Sequence, residues 1–220
     1  MATYLVTGCS RGIGLALVEQ LAAQGEKVFA VSRGPVPHIA GDVRAFEGFD
    51  QEDPDMPAAL AHALPRVHLD VAILNAGMLM SDGIDSVQRD EVLKLFEVNA
   101  LAPLFLAQAL LTRFVSGSKL GIVTSRMGSL GDNTSGGYYA YRMSKAALNM
   151  AAVSLAHDLR PRGVPVGLYH PGYVRTGMTG GAGEIEASEA AAGILRHLHT
   201  LTLEESGHFF HASHGGPLPY

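Results

Sequence analysis

A tyrosine and a lysine four residues apart, Tyr141 and Lys145, lie near the start of the longest Ala- and Met-rich helical pattern in the sequence. Residues at this spacing share one face of a helix, so the phenol and the ammonium group are neighbours. A free phenol has a pKa of about 10 and is a poor acid–base catalyst at pH 7, whereas a nearby cation stabilises the phenolate and lowers that pKa. The pair therefore suits proton transfer, although the same spacing also occurs on ordinary helix faces.

Two further polar residues suit the same chemistry. Ser125 follows the predicted strand 121–124 and puts a hydroxyl at the carboxyl edge of a parallel sheet, where it can hydrogen-bond a substrate oxygen as charge develops. Asn99 lies inside an apolar helical run, where an amide must be hydrogen-bonded. Asn99 either holds a water in a proton relay or forms a structural kink bonded to a neighbouring carbonyl.

A glycine-rich turn joins the first predicted strand to the first predicted helix, with the sequence Thr-Gly-Cys-Ser-Arg-Gly-Ile-Gly at 7–14. Glycines let the backbone approach a pyrophosphate, and the free amides of a helix N-terminus attract that anion. The glycine spacing differs from the common G-x-G-x-x-G fingerprint. The predicted phosphate-binding residues are Gly8, Ser10, Arg11, Gly12, Ile13 and Gly14.

The second predicted strand, 27–31, is followed by Ser-Arg and no acidic residue. A site for NAD(H) usually places Asp or Glu there for the ribose 2′-hydroxyl, whereas a site for NADP(H) has an arginine nearby for the 2′-phosphate. Arg33 and Arg11 both lie near this corner, and a planar guanidinium suits a phosphate. The sequence therefore favours NADP(H) over NAD(H).

The ends of the third and fourth predicted strands extend this cofactor site. Asp50 either accepts a hydrogen bond from the adenine amino group or caps the turn before Pro54. In the sequence Asn75-Ala76-Gly77, the asparagine amide ties adjacent loops together and Gly77 leaves room for the cofactor ribose.

Short apolar runs alternate with helical patterns along all 220 residues, without an internal repeat or a linker. This alternation predicts one α/β domain spanning 1–220, a Rossmann-type doubly wound parallel sheet of about seven strands with helices on both faces. The predicted elements include a strand at 67–74 and a long helix at 86–111 that contains Pro103.

Composition excludes several classes of function. The net charge of −5 leaves no positive field for a nucleic-acid partner. The single cysteine, Cys9, excludes an intramolecular disulfide and a multi-cysteine zinc site. No metal site is predicted, because His208, His211 and His214 lie without an adjacent carboxylate. The apolar segment 98–111 is shorter than the ~20 residues of a membrane span and no basic leader is visible, so a cytoplasmic protein without a membrane partner is expected.

In this order, the motifs resemble the short-chain dehydrogenase/reductase family over essentially the whole chain, with the sniffer or C-factor-like carbonyl reductases as the most similar subgroup. The matching motifs are T-G-x-x-x-G-x-G at 7–14, N-A-G at 75–77, the helix asparagine Asn99, Y-x-x-x-K at 141–145 and P-G…T at 171–176. The resemblance implies an NADP(H)-dependent oxidoreductase that reduces small aldehydes or ketones to alcohols by hydride transfer. The alternative is a dinucleotide-binding regulatory or signalling protein of the C-factor type with weak or vestigial reductase activity.

The resemblance also implies a role for each catalytic residue. Tyr141 is the general acid/base, Lys145 lowers its pKa and binds the nicotinamide ribose, Ser125 polarises the substrate carbonyl, and Asn99 holds the relay water. The family's serine commonly lies thirteen residues before the tyrosine, where this chain has a glycine. Ser125 is preferred to Ser129 because it begins the family's serine-then-glycine pattern and ends a strand.

The remaining expectations concern the substrate end of the site. A segment beside the nicotinamide contains Pro171, Gly172, Val174 and Thr176. The predicted substrate pocket contains Met127, Tyr138, Tyr173 and Met178, covered by a mobile glycine-rich lid at 178–185. The resemblance further implies assembly as a homodimer or homotetramer.

Overall fold

A computed structural model describes all 220 residues, and its centre is one seven-stranded sheet. The strands are β1 (Thr3–Thr7), β2 (Lys27–Val31), β3 (Val43–Phe46), β4 (Val71–Leu74), β5 (Lys119–Val123), β6 (Val166–His170) and β7 (Phe209–His211). Every neighbouring pair is parallel, in the spatial order β3-β2-β1-β4-β5-β6-β7. The predicted doubly wound parallel fold is confirmed.

Six α-helices cover the two faces of the sheet. They are α1 (Gly12–Ala23), α2 (Met56–Ala63), α3 (Arg89–Phe96), α4 (Ala102–Ala109), α5 (Tyr139–Leu159) and α6 (Ala187–Thr200). Helices α1 and α6 pack together on one face, whereas α2, α4 and α5 pack on the other. The sheet therefore has helices on both of its faces.

Two apolar clusters fill the space between the sheet and its helix layers. Neighbouring residues of one strand enter opposite clusters, as Leu5 and Val6 do in β1. The first cluster adds Leu106 from α4, and the second adds Leu17 from α1. Because both faces are buried, the strands are apolar runs with little alternation, as in other covered parallel sheets.

The strand order reverses between β1 and β4, which pair in the register Tyr4–Val71 and Leu5–Ala72. The chain leaves these two strands toward opposite sides of the sheet, so a crevice opens outside their carboxyl ends. Ligands of open α/β sheets bind at such a point. The fold thus brings the glycine-rich turn after β1 next to the Asn-Ala-Gly segment after β4.

The helix predicted at 86–111 begins later and is interrupted. A π-helical turn, Glu97–Leu101, separates α3 from α4. In an uninterrupted α-helix the N–H of residue 103 would donate to the carbonyl of Asn99. Pro103 has no N–H group, so this bond is missing at the π-helical turn. The turn carries Asn99, whose side chain is fully buried.

The stretch Arg89–Ala109 has the length and apolar composition of a membrane-spanning helix, which the shorter segment 98–111 did not indicate. In this fold it is a core helix, because Leu95, Ala100 and Leu106 are buried. Packing against the sheet and α5 accounts for its buried apolar residues, whereas Leu93 and Phe105 on the same stretch are exposed.

The strand predicted at 67–74 pairs with its neighbours only from Val71 onward. The backbone N–H of Leu69 donates to the carbonyl of Arg113 at 3.0 Å instead of to a strand. The Arg113 guanidinium in turn donates to the carbonyl of Pro65 at 2.7 Å. These bonds hold residues 65–69 outside the sheet.

Gly193 lies inside α6 and packs against the backbone that follows β7. A Cβ atom there would lie 2.4 Å from the carbonyl oxygen of Ala212. Replacing a mid-helix glycine by alanine normally raises the free energy of unfolding by about 1 kcal/mol. Here the contact with Ala212 makes the same change destabilising. We expect Gly193→Ala to lower the free energy of unfolding by about 2 kcal/mol, measured by urea denaturation. Gly216→Ala, where a Cβ would meet nothing within 4 Å, is the control, and a stabilised Gly193→Ala would contradict the packing described.

Candidate active site

A groove of about 530 Å³ runs along the carboxyl ends of the strands, from the end of β2 to the start of α5. Its volume lies in the range of small-molecule and cofactor sites. Most predicted site residues lie in its wall: Gly8, Ser10, Arg11, Gly12, Ile13, Gly14, Arg33, Asp50, Asn75, Ala76, Gly77, Tyr141, Lys145, Pro171, Thr176 and Met178.

The glycine-rich turn forms the floor of the groove between β1 and β4. A Cβ on Gly14 would lie 2.1 Å from the carbonyl oxygen of Gly8, and one on Gly8 would lie 2.9 Å from the Cα of Ala76. No side chain caps the N-terminus of α1, so its first N–H groups are available to an anion. Only glycine fits at these two positions, and the cradle suits the pyrophosphate of a dinucleotide.

Asn75 ties the ends of β1 and β4 together, as predicted. Its amide nitrogen donates to the carbonyl of Thr7 at 2.9 Å, while the Thr7 hydroxyl accepts from the backbone N–H groups of Asn75 and Ala76. These bonds fix the width of the crevice. Cys9, in the same turn, is buried, and burial raises the pKa of its thiol to about 12, so the thiol is not a nucleophile here.

At the far end of the groove, Arg33 lies among acidic residues. Its guanidinium is 3.3 Å from the Asp50 carboxylate and 3.5 Å from that of Glu52, which also pairs with Lys94 at 3.0 Å. Asp50 additionally accepts from the backbone N–H of Glu52 at 3.1 Å. Of the two roles predicted for Asp50, the structure shows the turn cap.

Gln51, which sequence reasoning missed, also lines this end of the groove. The residue is 9% exposed, and its side-chain oxygen is buried without a hydrogen-bond partner. A buried acceptor without a donor costs free energy, and the exocyclic amine of an adenine is a donor of the kind it lacks. The orphaned oxygen therefore fits an adenosine bound at this end.

Tyr141 and Lys145 meet on one face of α5, as their spacing predicts, and are 7% and 4% exposed. The Lys145 ammonium lies 6.0 Å from the centroid of the tyrosine ring and donates to the carbonyl of Val123 at 3.3 Å. A Cβ on Gly77 would lie 3.4 Å from this ammonium. The glycine therefore keeps Lys145 open to the groove.

The predicted lowering of the Tyr141 pKa is wrong for the protein without ligands. Burial raises the pKa of Tyr141, and the neighbouring Ser125 hydroxyl lowers it only in part. Burial also lowers the pKa of Lys145 to about 8. The physical reason is that desolvation penalises both charged forms more than the two groups stabilise each other at this separation.

The structure places Ser125, and not Ser129, beside the tyrosine. Ser125 ends β5 and caps the 3₁₀ turn Arg126–Gly128, where its hydroxyl accepts from the N–H of Met127 at 3.1 Å. The Ser129 hydroxyl instead accepts from the N–H of Asp132 at 3.1 Å. Ser125 is thus the serine that can contact a substrate oxygen near Tyr141.

The side chain of Asn99 is hydrogen-bonded within the protein. Its carbonyl oxygen accepts from the N–H of Met78, and its amide nitrogen donates to the carbonyl of Met78 and to the Ser144 hydroxyl, all at 2.9–3.0 Å. These bonds are the ones that the structural alternative requires. The amide oxygen keeps a second lone pair, so the relay water remains a prediction.

The substrate end of the groove differs from the prediction. Pro171, Thr176 and Met178 line it, whereas seven predicted site residues are not in the groove wall: Asn99, Ser125, Met127, Tyr138, Gly172, Tyr173 and Val174. Met127 instead packs against the apolar cluster around Tyr141. The side chains of Tyr138 and Tyr173 are exposed on the surface, and that of Val174 is buried.

The segment predicted to be a mobile lid is held by its own hydrogen bonds. Thr176 and Thr179 form a reciprocal capping box around the 3₁₀ turn Gly177–Thr179. The N–H of Glu184 donates to the carbonyl of Tyr173 at 2.7 Å, and that of Arg175 to Ile185 at 2.9 Å. These bonds make the segment a compact loop, and its mobility remains a prediction.

Several further residues of the groove were missed from the sequence. They include Thr7, Ser32, Gln51, Met78, Lys94 and Val98. Lys94 and Val98 could have been found, because their four-residue spacing gives them the same helix face. Ser32 could have been found as the neighbour of Arg33 at a strand end.

Comparisons with known proteins agree with this geometry. Residues 2–187 match the short chain dehydrogenase family. A 1-hydroxy-2-glutathionyl-2-methyl-3-butene dehydrogenase from Rhodococcus sp. (strain AD45) is 40% identical over 219 residues, which cover 96% of this chain and 97% of the relative. An NADPH-bound carbonyl reductase from chicken fatty liver superposes with a TM-score of 0.90 at 28% identity, over 100% of this chain and 99% of that one.

The carbonyl reductase Sniffer of D. melanogaster superposes with a TM-score of 0.89 at 29% identity, over the full length of both chains. The predicted family and the resemblance to sniffer-type carbonyl reductases are confirmed. Since the family match spans most of the chain and the fold agrees throughout, this protein belongs to the short-chain dehydrogenase/reductase family.

Proposed function

We propose that this oxidoreductase is an NADP(H)-dependent reductase of small aldehydes or ketones. The observation that carries the proposal is that Tyr141 and Lys145 line one end of a groove whose floor is a glycine cradle, with Ser125 beside the tyrosine. A regulatory protein that only binds a dinucleotide needs the cradle and not the three catalytic side chains. The presence of all three therefore favours an enzyme over a protein that only binds the dinucleotide.

Reduction requires a hydride and a proton, and a bound nicotinamide cofactor supplies the hydride. The Ser125 hydroxyl donates a hydrogen bond to the substrate oxygen as negative charge develops on it. The Tyr141 hydroxyl then delivers its proton to that oxygen. Because burial raises the Tyr141 pKa, the phenol is protonated at pH 7, which is the form that a proton donor needs.

The same residues serve the reverse reaction, in which Tyr141 accepts a proton from an alcohol. The Rhodococcus relative is named as a dehydrogenase of a glutathionyl alcohol. This name favours alcohol oxidation as a second candidate direction for the present enzyme. The phenol must then be ionised, so burial of Tyr141 opposes this direction at pH 7 and favours it at higher pH.

Two arginines support the preference for NADP(H). Arg33 and Arg11 both line the groove, and the strand that ends before Arg33 carries no acid for a ribose 2′-hydroxyl. Arg33 already faces two carboxylates. A bound 2′-phosphate would compete with them for the same guanidinium.

We further propose a cytoplasmic enzyme that forms a homodimer or homotetramer, without nucleic-acid or membrane partners. Large apolar side chains remain exposed on the α3–α4 helix and on α5, among them Leu93, Phe105, Met143 and Met150. Such residues on two adjacent helices suit a contact between copies of the chain.

We expect Tyr141→Phe to lower kcat for carbonyl reduction by at least about a thousandfold, since it removes the proton donor while it keeps the ring. The dissociation constant for NADPH, measured by fluorescence titration, should change by less than about twofold. Tyr139→Phe, which removes an exposed hydroxyl two residues earlier, is the matched control. Turnover of Tyr141→Phe close to that of the wild type would remove Tyr141 from the mechanism.

For the cofactor preference, the informative change is Arg33→Ala. It should raise KM for NADPH by about ten- to a hundredfold, because a charge-assisted contact with the 2′-phosphate is lost. KM for NADH should change by less than about threefold. Arg66→Ala, at an exposed arginine outside the groove, is the control. An equal effect on both cofactors would show that Arg33 does not read the 2′-phosphate.

The burial of Lys145 predicts a stability effect with a defined pH dependence. Its pKa is about 8 in the folded protein and 10.5 in a free side chain, so the unfolded chain binds more protons between these values. Lysine burial therefore destabilises most below pH 8, and this penalty fades as the pH rises toward 10.5. At pH 7 we expect Lys145→Met to raise the free energy of unfolding by about 2–3 kcal/mol while activity is lost.

The Lys145→Met difference is measured by urea denaturation at pH 7 and again at pH 10. Lys94→Met, at a half-exposed lysine in an ion pair, should change stability by less than about 0.5 kcal/mol at either pH. A Lys145→Met variant that is less stable than the wild type at pH 7 would refute the assignment of an unfavourably buried ammonium.

A further inference from the structure

The helix that carries the catalytic tyrosine is capped by a residue from a distant loop. One oxygen of the Asp82 carboxylate accepts from the N–H of Tyr139 at 2.5 Å, and the other accepts from Ala140 at 3.0 Å. The Asp82 carbonyl accepts from the N–H of Tyr138 at 2.9 Å. One residue thus satisfies three successive backbone donors directly before Tyr141.

The residues before α5 cannot supply this cap themselves. Tyr138, at the N-cap position, makes no side-chain cap and has a φ of 52°, the only positive φ among non-glycine residues of the chain. Gly136 and Gly137 before it are also left-handed, each with a φ of 64°. Because a normal N-cap residue is extended and bonds the first turn through its own side chain, the position where α5 starts depends on Asp82.

Asp82 belongs to the loop 75–88 between β4 and α3, here called the Asp82 loop. This loop also packs around the catalytic tyrosine. Met78, Leu79 and Met80 contact the apolar cluster that contains Tyr141. Asn99 holds the start of this loop through both backbone groups of Met78 and donates to Ser144, next to Lys145. The loop is therefore bonded to α5 at one end through Asn99 and at the other through Asp82, with Tyr141 between the two attachments.

We propose that Asp82 is a positioning residue, which sets the place of the Tyr141 hydroxyl by fixing the first turn of α5. The carboxylate faces the helix N-terminus, where the backbone dipoles favour negative charge. Loss of the cap frees the first turn, and a displacement of the phenol by about 1 Å is enough to lower the rate of proton transfer strongly. The inference rests on the proposed function, because it concerns the efficiency of Tyr141 as proton donor.

The test compares Asp82→Ala and Asp82→Asn with Asp85→Ala, which removes an exposed carboxylate from the same loop. Hydrogen exchange of the peptide over 138–142 reports the cap without any turnover. Steady-state reduction of an aldehyde with NADPH and the NADPH dissociation constant report the chemistry. All assays are run at least 10 °C below the melting temperature of each variant, so that only folded protein is compared.

We expect Asp82→Ala to exchange these amides about five- to tenfold faster and to lower kcat by about tenfold or more, with the NADPH dissociation constant within twofold. Asp82→Asn keeps one acceptor oxygen and should lie between Asp82→Ala and the wild type, whereas Asp85→Ala should match the wild type. Unchanged exchange overturns the cap, and faster exchange with unchanged kcat overturns the positioning role. If the wild-type protein does not reduce the aldehyde at all, the proposed function is refuted. The hydrogen-exchange comparison then still shows whether Asp82 caps α5.

Discussion

The site depends on the burial of an ammonium group and a phenol side by side, at the point where β5 ends and α5 begins. Lys145 and Tyr141 are both almost fully buried, and only the carbonyl of Val123 and the hydroxyl of Ser125 offset the loss of water around them. Burying an ammonium in this way is unfavourable for folding. The two apolar clusters on either side of the sheet must therefore stabilise the fold against this cost.

Burial also determines which protonation states the enzyme brings to its reaction. The phenol is held neutral, whereas the lysine, with a pKa of about 8, stays mostly protonated at pH 7, so the nearby ammonium does not ionise the tyrosine. A neutral phenol beside the Ser125 hydroxyl is in the form that can donate a proton to a carbonyl oxygen. The same arrangement makes the oxidation of alcohols more dependent on pH than carbonyl reduction, because ionisation of the phenol must come first.

Much of this site follows from sequence, because parallel strands deliver their carboxyl ends to one edge. Gly8, Arg33, Asn75 and Ser125 each follow an apolar run, and the fold brings all four to the same edge of the sheet. What sequence could not predict are contacts between distant segments whose partners have no fixed spacing. The Asp82 cap joins residues 57 positions apart, and the ion pair of Arg33 with Asp50 joins two strand ends whose contact no spacing in the sequence indicates.

The central claim is that Tyr141 enters the reaction as a buried, neutral phenol whose ionisation is eased by Ser125. The direct measurement is an NMR titration of protein labelled with ¹³C at the tyrosine Cζ, with the Tyr141 signal assigned among the seven tyrosines by its loss in Tyr141→Phe. The account predicts that Tyr141 titrates above pH 10 in the ligand-free protein and higher still in Ser125→Ala. A titration midpoint near pH 7, or no response to the loss of the Ser125 hydroxyl, would contradict it.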